Sequence, residues 1–226
     1  MIKERTVQLI YQTVCCTLGL VGIIACFGVF DNRNMIRWDF YIHFTNLGNF
    51  LCIGVMLAEL IQTAKKKQDS YVTAVPVLKF VGMTGAVMIF LVFNILLAGA
   101  ADRDPQLNWR VGSLCFHIVL PLMYIADWFL FYERGKIKWF YPLISMVLPL
   151  AYIIFILIHA AVVKFDTSIL IPGTQTPLIY PYFFINPEKL GLGGVAMWCV
   201  LLLIAFAANG FVFWGIDKVG KKNMKS

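Results

Sequence analysis

Charge is what this sequence has least of. Asp, Glu, Lys and Arg make up 14% of its 226 residues, while hydrophobic residues make up 60%. A soluble domain carries about a quarter charged residues, so this composition excludes a soluble enzyme or a solvated binding module. Histidine is scarce too, with three residues, His43, His117 and His159. The six cysteines (Cys15, Cys16, Cys26, Cys52, Cys115, Cys199) show no CxxC spacing and all fall inside apolar runs. That excludes a disulfide framework and leaves small apolar packing as their role. No P-loop, dinucleotide fingerprint or HExxH motif occurs.

What is abundant is apolar length. Runs of about 20 apolar residues recur, each able to cross a bilayer core of roughly 30 Å. Their spacing predicts six helices at about 7–30, 41–62, 77–99, 110–131, 140–163 and 191–216, and no stretch remains for a soluble domain. The expected fold is an all-α polytopic transmembrane bundle, one integral membrane domain over residues 1–226. Ile23-Ile24-Ala25-Cys26 is similar to a lipoprotein cleavage box, but the apolar run before it is long for a signal peptide, so an uncleaved first helix is expected.

The formal charge of +7 does not indicate nucleic acid. Thirteen of the 19 Lys and Arg lie in the N-terminus, the 62–76 loop with Lys79, the 132–139 loop and the C-terminal tail. With six crossings these segments share one side, and the positive-inside rule makes it the cytoplasm, both termini included. Lys65, Lys66, Lys67, Lys218, Lys221, Lys222 and Lys225 are then topology anchors that meet anionic lipid headgroups. In a bacterial chain the membrane would be the cytoplasmic (plasma) membrane. Gln8, Gln12 and Thr13 are expected to pair helices or lie at the interface, and Glu59 to snorkel at the cytoplasmic end of helix 2.

Polar residues inside such helices are costly and mark function by default. The stretch Tyr41–Phe50 places His43, Thr45, Asn46 and Asn49 in the first two turns of helix 2, with Thr45 roughly 6 Å inside the membrane. Helix 3 carries Asn94 near its outer end. Helix 4 places His117 about 10 Å deep, four residues before Pro121, which leaves the His117 carbonyl without its usual helical donor. Helix 5, with a kink expected at Pro149, ends near His159. Asp127 is about 15 Å from His117 along the helix, too far to orient it, and is expected to cap the helix or meet loop cations. The 164–190 segment holds four of the nine prolines and the run YPYFF. It is expected to form a lid or lipid-facing gate in the outer interface.

Thr45, Asn46, Asn49, Asn94, His117 and His159 thus share the outer half of the membrane, which points to a polar pocket reached by lipid from the side and water from above. Two chemistries fit. A hydroxyl nucleophile, Thr45, can be activated by His117 as base, with Asn46, Asn49, Asn94 and His159 as the groups that meet an oxyanion or bind substrate. Alternatively, the three imidazoles could ligate a catalytic zinc. His43 and Thr45 lie about 200° apart on a helix, so the two schemes do not combine, whereas Thr45 and Asn49 share a face. A third possibility is a non-enzymatic lipid- or small-molecule-binding protein.

FTNLGNFL on helix 2, His117-x3-Pro121 followed by Asp127-Trp128, LPLAY on helix 5 and YPYFF before helix 6 occur in this order. Together they resemble the six-helix androgen-induced membrane protein family and its bacterial relatives, over nearly the whole chain. The resemblance implies a threonine hydrolase of fatty-acid esters, with Thr45 as nucleophile, His117 as its histidine partner, a membrane lipid or acyl ester as substrate, and no cofactor or metal. Two positions depart from the pattern: Gly48 stands where bacterial relatives carry a serine, and Asn186 where an aspartate follows the YP-x-PF run.

Overall fold

A computed structural model describes residues 1–30, 39–100, 105–163 and 179–223 of the chain. Among them, six helices are long and apolar enough to cross a membrane: α1 (Arg5–Cys26), α2 (Phe44–Lys65), α3 (Pro76–Leu97), α4 (Val111–Phe131), α5 (Tyr141–Val162) and α6 (Pro187–Lys221). No strand occurs among the described residues. The protein is an all-α, multi-pass integral membrane protein. With six crossings, both ends of the chain emerge at one face, the terminal face; the opposite side is the far face.

The helix ends have local causes. α2 starts at Phe44 rather than 41 because Asp39–Ile42 forms a 3-10 turn and His43 is extended (φ −92°, ψ 124°). α6 starts early, at Pro187, and bends at Gly191, whose φ of 66° lies in the left-handed region that favours glycine. α5 breaks between Ser145 and Val147. Pro149 accounts for this, since it has no N–H to give the carbonyl of Ser145. α3 and α4 each contain one wide (π) turn, at Phe93–Leu97 and Cys115–Val119.

Between helices in lipid, close packing rather than water exclusion holds contacts together. The interior is filled by Phe80, Met83, Phe116, Tyr124 and Trp128, all essentially buried. Glycines bring backbones together at specific points. A Cβ at Gly22 would run into the ring of Phe116, one at Gly19 would lie 2.7 Å from Ile53, and one at Gly210 would lie 3.0 Å from the backbone of Pro142. Two glycines at the start of α6 meet no neighbouring helix. Nothing comes within 4 Å of a Cβ at Gly191 or Gly193, and Leu192 between them is 81% exposed. Gly191 bends the chain there, and the close approach of α6 to its neighbour falls at Gly210.

The terminal face is sewn together by side-chain ties. Gln8 is buried and donates to the carbonyls of Ile2 and Ser70, both at 3.1 Å, while its Oε1 accepts from Lys66 Nζ at 2.7 Å. The Asp217 carboxylate accepts from the N–H groups of Gly135 (2.8 Å) and Ile137 (3.0 Å). Just inside this face, Glu59 does not snorkel: it is 1% exposed. Lys79, equally buried and in the first turn of α3, donates to Glu59 at 2.6 Å and also ion-pairs with Asp127. Asp127 therefore finds its lysine within the bundle and not in a loop, and Lys79 is not a loop charge.

Candidate functional site

Thr45 is the second residue of α2. The His43 carbonyl accepts from Asn46 N at 3.1 Å and Leu47 N at 3.2 Å. The Thr45 N–H has no partner within the helix, as is usual for first-turn groups at its positive end, while the Phe44 N–H meets the Tyr152 hydroxyl. Thr45 N–H points to the Tyr182 hydroxyl at 3.5 Å. The Thr45 side chain is 7% exposed, and among the described residues its hydroxyl makes no hydrogen bond. Thr84 shows the usual alternative, with its hydroxyl folded back on the Val81 (2.9 Å) and Phe80 (3.2 Å) carbonyls.

Thr45 stands in the wall of an apolar pocket with about 640 Å³ of free space, its open mouth included. The wall is completed by Ile89 and Phe93 of α3, Tyr152 of α5, Phe206 of α6, and the aromatics Tyr182 and Phe184. Its few polar side chains are Thr45, Tyr152, Tyr182 and the thiol-bearing Cys199. Tyr152 donates its hydroxyl to the Ile42 carbonyl at 2.8 Å. Of the expected lid, residues 164–178 lie outside the described residues. The YPYFF end packs against the bundle, half-buried except for the buried Phe184, with Tyr182 and Phe184 stacked at 5.1 Å and 8° and packed on Ile42 and Tyr152.

His117 sits in the wide turn of α4. Its Nδ1 is 3.0 Å from the Ser113 carbonyl and 3.2 Å from the Ser113 hydroxyl. A carbonyl only accepts, so this contact assigns the proton to Nδ1 and the lone pair to Nε2. The ring also stacks on Phe93, centroids 3.7 Å apart and planes 13° from parallel. Phe93 belongs to the pocket wall, so the imidazole backs that wall without being part of it. Among the described residues no hydrogen bond joins Thr45 to His117.

Asn49 connects the two. It is 1% exposed, and its Nδ2 donates to the Thr45 carbonyl and to the Phe116 carbonyl, each at 2.8 Å. The Phe116 carbonyl is open for a covalent reason. In the wide turn Leu120 N–H reaches back to Cys115, and the next residue, Pro121, has no N–H. The carbonyl taken by a side chain is thus that of Phe116, one residue before the position the proline alone indicates. Both amide hydrogens of Asn49 are used, so this side chain registers α2 against α4 and is not placed to donate to an oxyanion.

The other candidates do not join them. Asn46 donates to the Phe40 carbonyl at 2.7 Å, closing the turn before α2. Asn94 is exposed and donates to Phe90 of its own helix at 2.7 Å. His159 is buried against Tyr41 and Phe155, with ring centroids 5.9 and 6.2 Å away, and is not in the pocket wall. His43 meets Tyr182 edge-on at 6.2 Å. Among the described residues no group of three His, Cys, Asp or Glu could hold a metal ion, so the three imidazoles do not form a zinc site. Sequence reasoning missed Tyr182 and Ser113. The Ser-x3-His spacing, one helical turn, is a legible signal for Ser113; Tyr182 had none beyond its aromatic run.

No family model, curated protein or solved structure matches the chain.

Proposed function

We propose that the protein is an intramembrane hydrolase of lipid esters, with Thr45 as nucleophile and His117 as base. The observation that carries this reading is the double bond from Asn49. It fixes the Thr45-bearing turn against the His117-bearing turn beside an apolar pocket. Thr45 Oγ attacks the ester carbonyl carbon and its proton passes to Nε2 of His117. The oxyanion is met by the Thr45 N–H at the start of α2 and by the Tyr182 hydroxyl it points to, in place of the asparagine amides. The tetrahedral adduct collapses to acyl-Thr45, and the leaving alkoxide takes the proton from His117. Water, deprotonated by the same imidazole, then releases the acid and restores Thr45. Ser113 acts through His117 by holding its tautomer.

The same proposal places both termini in the cytoplasm, the pocket toward the outer leaflet of the plasma membrane, and the terminal lysines against anionic headgroups. The test uses purified protein in detergent with a fluorogenic acyl ester. Thr45→Ser retains some turnover, whereas Thr45→Val and His117→Ala each lose several orders of magnitude and the double variant little more, as for groups acting as a unit. Chelators leave turnover intact. Wild-type turnover in a stable Thr45→Val protein refutes the mechanism. The almost wholly apolar wall favours a second reading, a non-enzymatic lipid-binding protein, which a complete lack of turnover in any variant would select.

A further inference from the structure

The buried cluster near the terminal face has an unbalanced charge. Lys79 is its one cation among the described residues, and it faces two carboxylates, Glu59 and Asp127, all three 1% exposed. Fully ionised, the trio is one negative charge in excess, inside a segment surrounded by lipid, where an unpaired charge is among the costliest groups a protein can hold. Each carboxylate also has an oxygen left over. Glu59 Oε1 and Asp127 Oδ1 are buried with no hydrogen-bond partner among the described residues. Two neighbours are in the same condition: the hydroxyl of Tyr124, whose ring lies 4.7 Å from Lys79 Nζ, and that of Thr63, one turn along α2 from Glu59. Four buried oxygens without a hydrogen-bond partner among the described residues and one uncompensated negative charge thus gather near the terminal face.

We propose that the Glu59–Lys79–Asp127 cluster is a proton-binding site, in which the two carboxylates share one exchangeable proton. A proton supplies both deficits at once: it makes the trio neutral and turns a bare carboxylate oxygen into a donor for its neighbours. The titratable groups around the cluster are Tyr11 and Cys15 of α1, Cys52 of α2, Tyr124 of α4 and Tyr132 just after it. None is a cation. On α6, Asp217 is committed to the Gly135 and Ile137 N–H groups. The protonated site ties α2, α3 and α4 together and lies well away from the ester chemistry, so it stands whether or not that proposal holds.

Infrared difference spectroscopy of the protein in lipid nanodiscs at neutral pH reads the proton directly. The expected result is the C=O stretch of one protonated carboxylic acid, shifted in D2O, lost in both Glu59→Gln and Asp127→Asn. Lys79→Met should roughly double the band, because both carboxylates must then be neutral. If that variant does not fold, the double variant Lys79→Met, Glu59→Gln should show a single band. A wild-type spectrum without the band, or a band that survives both amide substitutions, overturns the proposal. Absence of the band together with a thermal stability that rises with sodium would assign the site to a monovalent cation instead.

Discussion

Replacing Asn49 by alanine isolates one structural bond from everything else at the site. The Thr45 carbonyl has the Asn49 backbone N–H as its helical partner four residues on, so losing the side-chain amide costs it only a second bond. The Phe116 carbonyl fares worse, since Leu120 N–H is taken by Cys115 and Pro121 has none to offer. Orphaning a buried carbonyl costs about 1–3 kcal/mol in soluble proteins. Interhelical hydrogen bonds in membranes average about 0.6 and reach about 1.7 kcal/mol, because the separated helices find other partners. Here the carbonyl is held open by the proline in either state, so a value toward the upper end, about 1–2 kcal/mol, is expected. At roughly 2–4 °C per kcal/mol for a chain of this size, Tm in detergent should fall by about 2–8 °C. Asn49→Leu keeps the volume and should fall as far, while Asn49→Asp, which opposes a carboxylate to two carbonyls, should fall further. Pro121→Ala returns an N–H to the turn, so Asn49→Ala should cost less in that background, a coupling read by a double-mutant cycle. An Asn49→Ala protein as stable as wild type in both backgrounds refutes the bridge.

Gly22→Ala should destabilise by about 1–3 kcal/mol, because its Cβ meets the Phe116 ring, and Phe116→Leu should recover part of that in the double variant; thermal unfolding in detergent measures both. Gly210→Ala should be similarly costly against the Pro142 backbone, whereas Gly193→Ala, with nothing within 4 Å, should be neutral or slightly stabilising by helix propensity. Tyr152→Phe keeps the ring in the pocket wall and deletes the hydroxyl's bond to the Ile42 carbonyl together with its contacts to the Phe44 N–H and the Tyr182 hydroxyl. It should lower Tm by no more than a few degrees, yet raise hydrogen exchange selectively in the far half of α5.

Apolar run length is a strong signal, and the six spans were legible from it. Thr45, Asn49 and His117 were legible too, as polar residues in hydrocarbon. What they do there was not, because a side chain's use depends on which helix it meets. Asn94 and Asn49 look alike in sequence, but one folds back on Phe90 at the surface and the other bridges two helices. The cluster at the terminal face was hidden for a different reason. Lys79 follows Pro76 so closely that it reads as a loop charge, and Asp127 and Glu59 each read as helix-end residues. Only their meeting across three helices shows that none of them reaches water. The wide turns leave no mark in composition at all; Pro121 hints at one and moves its consequence by a residue.

The two sets of polar ties divide the bundle mechanically. Asn49 fastens α2 to α4 toward the far face, and Lys79 fastens α3 to α2 and α4 toward the terminal face. Those three helices form a frame pinned at both ends. α5 and α6 have polar ties to that frame at Asn209, which donates to the Thr84 carbonyl at 3.0 Å, and at Tyr152. Most of the other contacts there, among the described residues, are dispersion between apolar side chains, which lipid tails replace at little cost. The pocket lies on this division, with Thr45, Ile89 and Phe93 on the pinned side and Tyr152, Leu202 and Phe206 on the other. A lipid chain entering from the membrane would therefore displace α5 and α6, and leave the register between the Thr45 and His117 turns undisturbed. Any chemistry at Thr45 needs that separation, since a shift of about 1 Å in a reacting group can cost on the order of a hundredfold in rate.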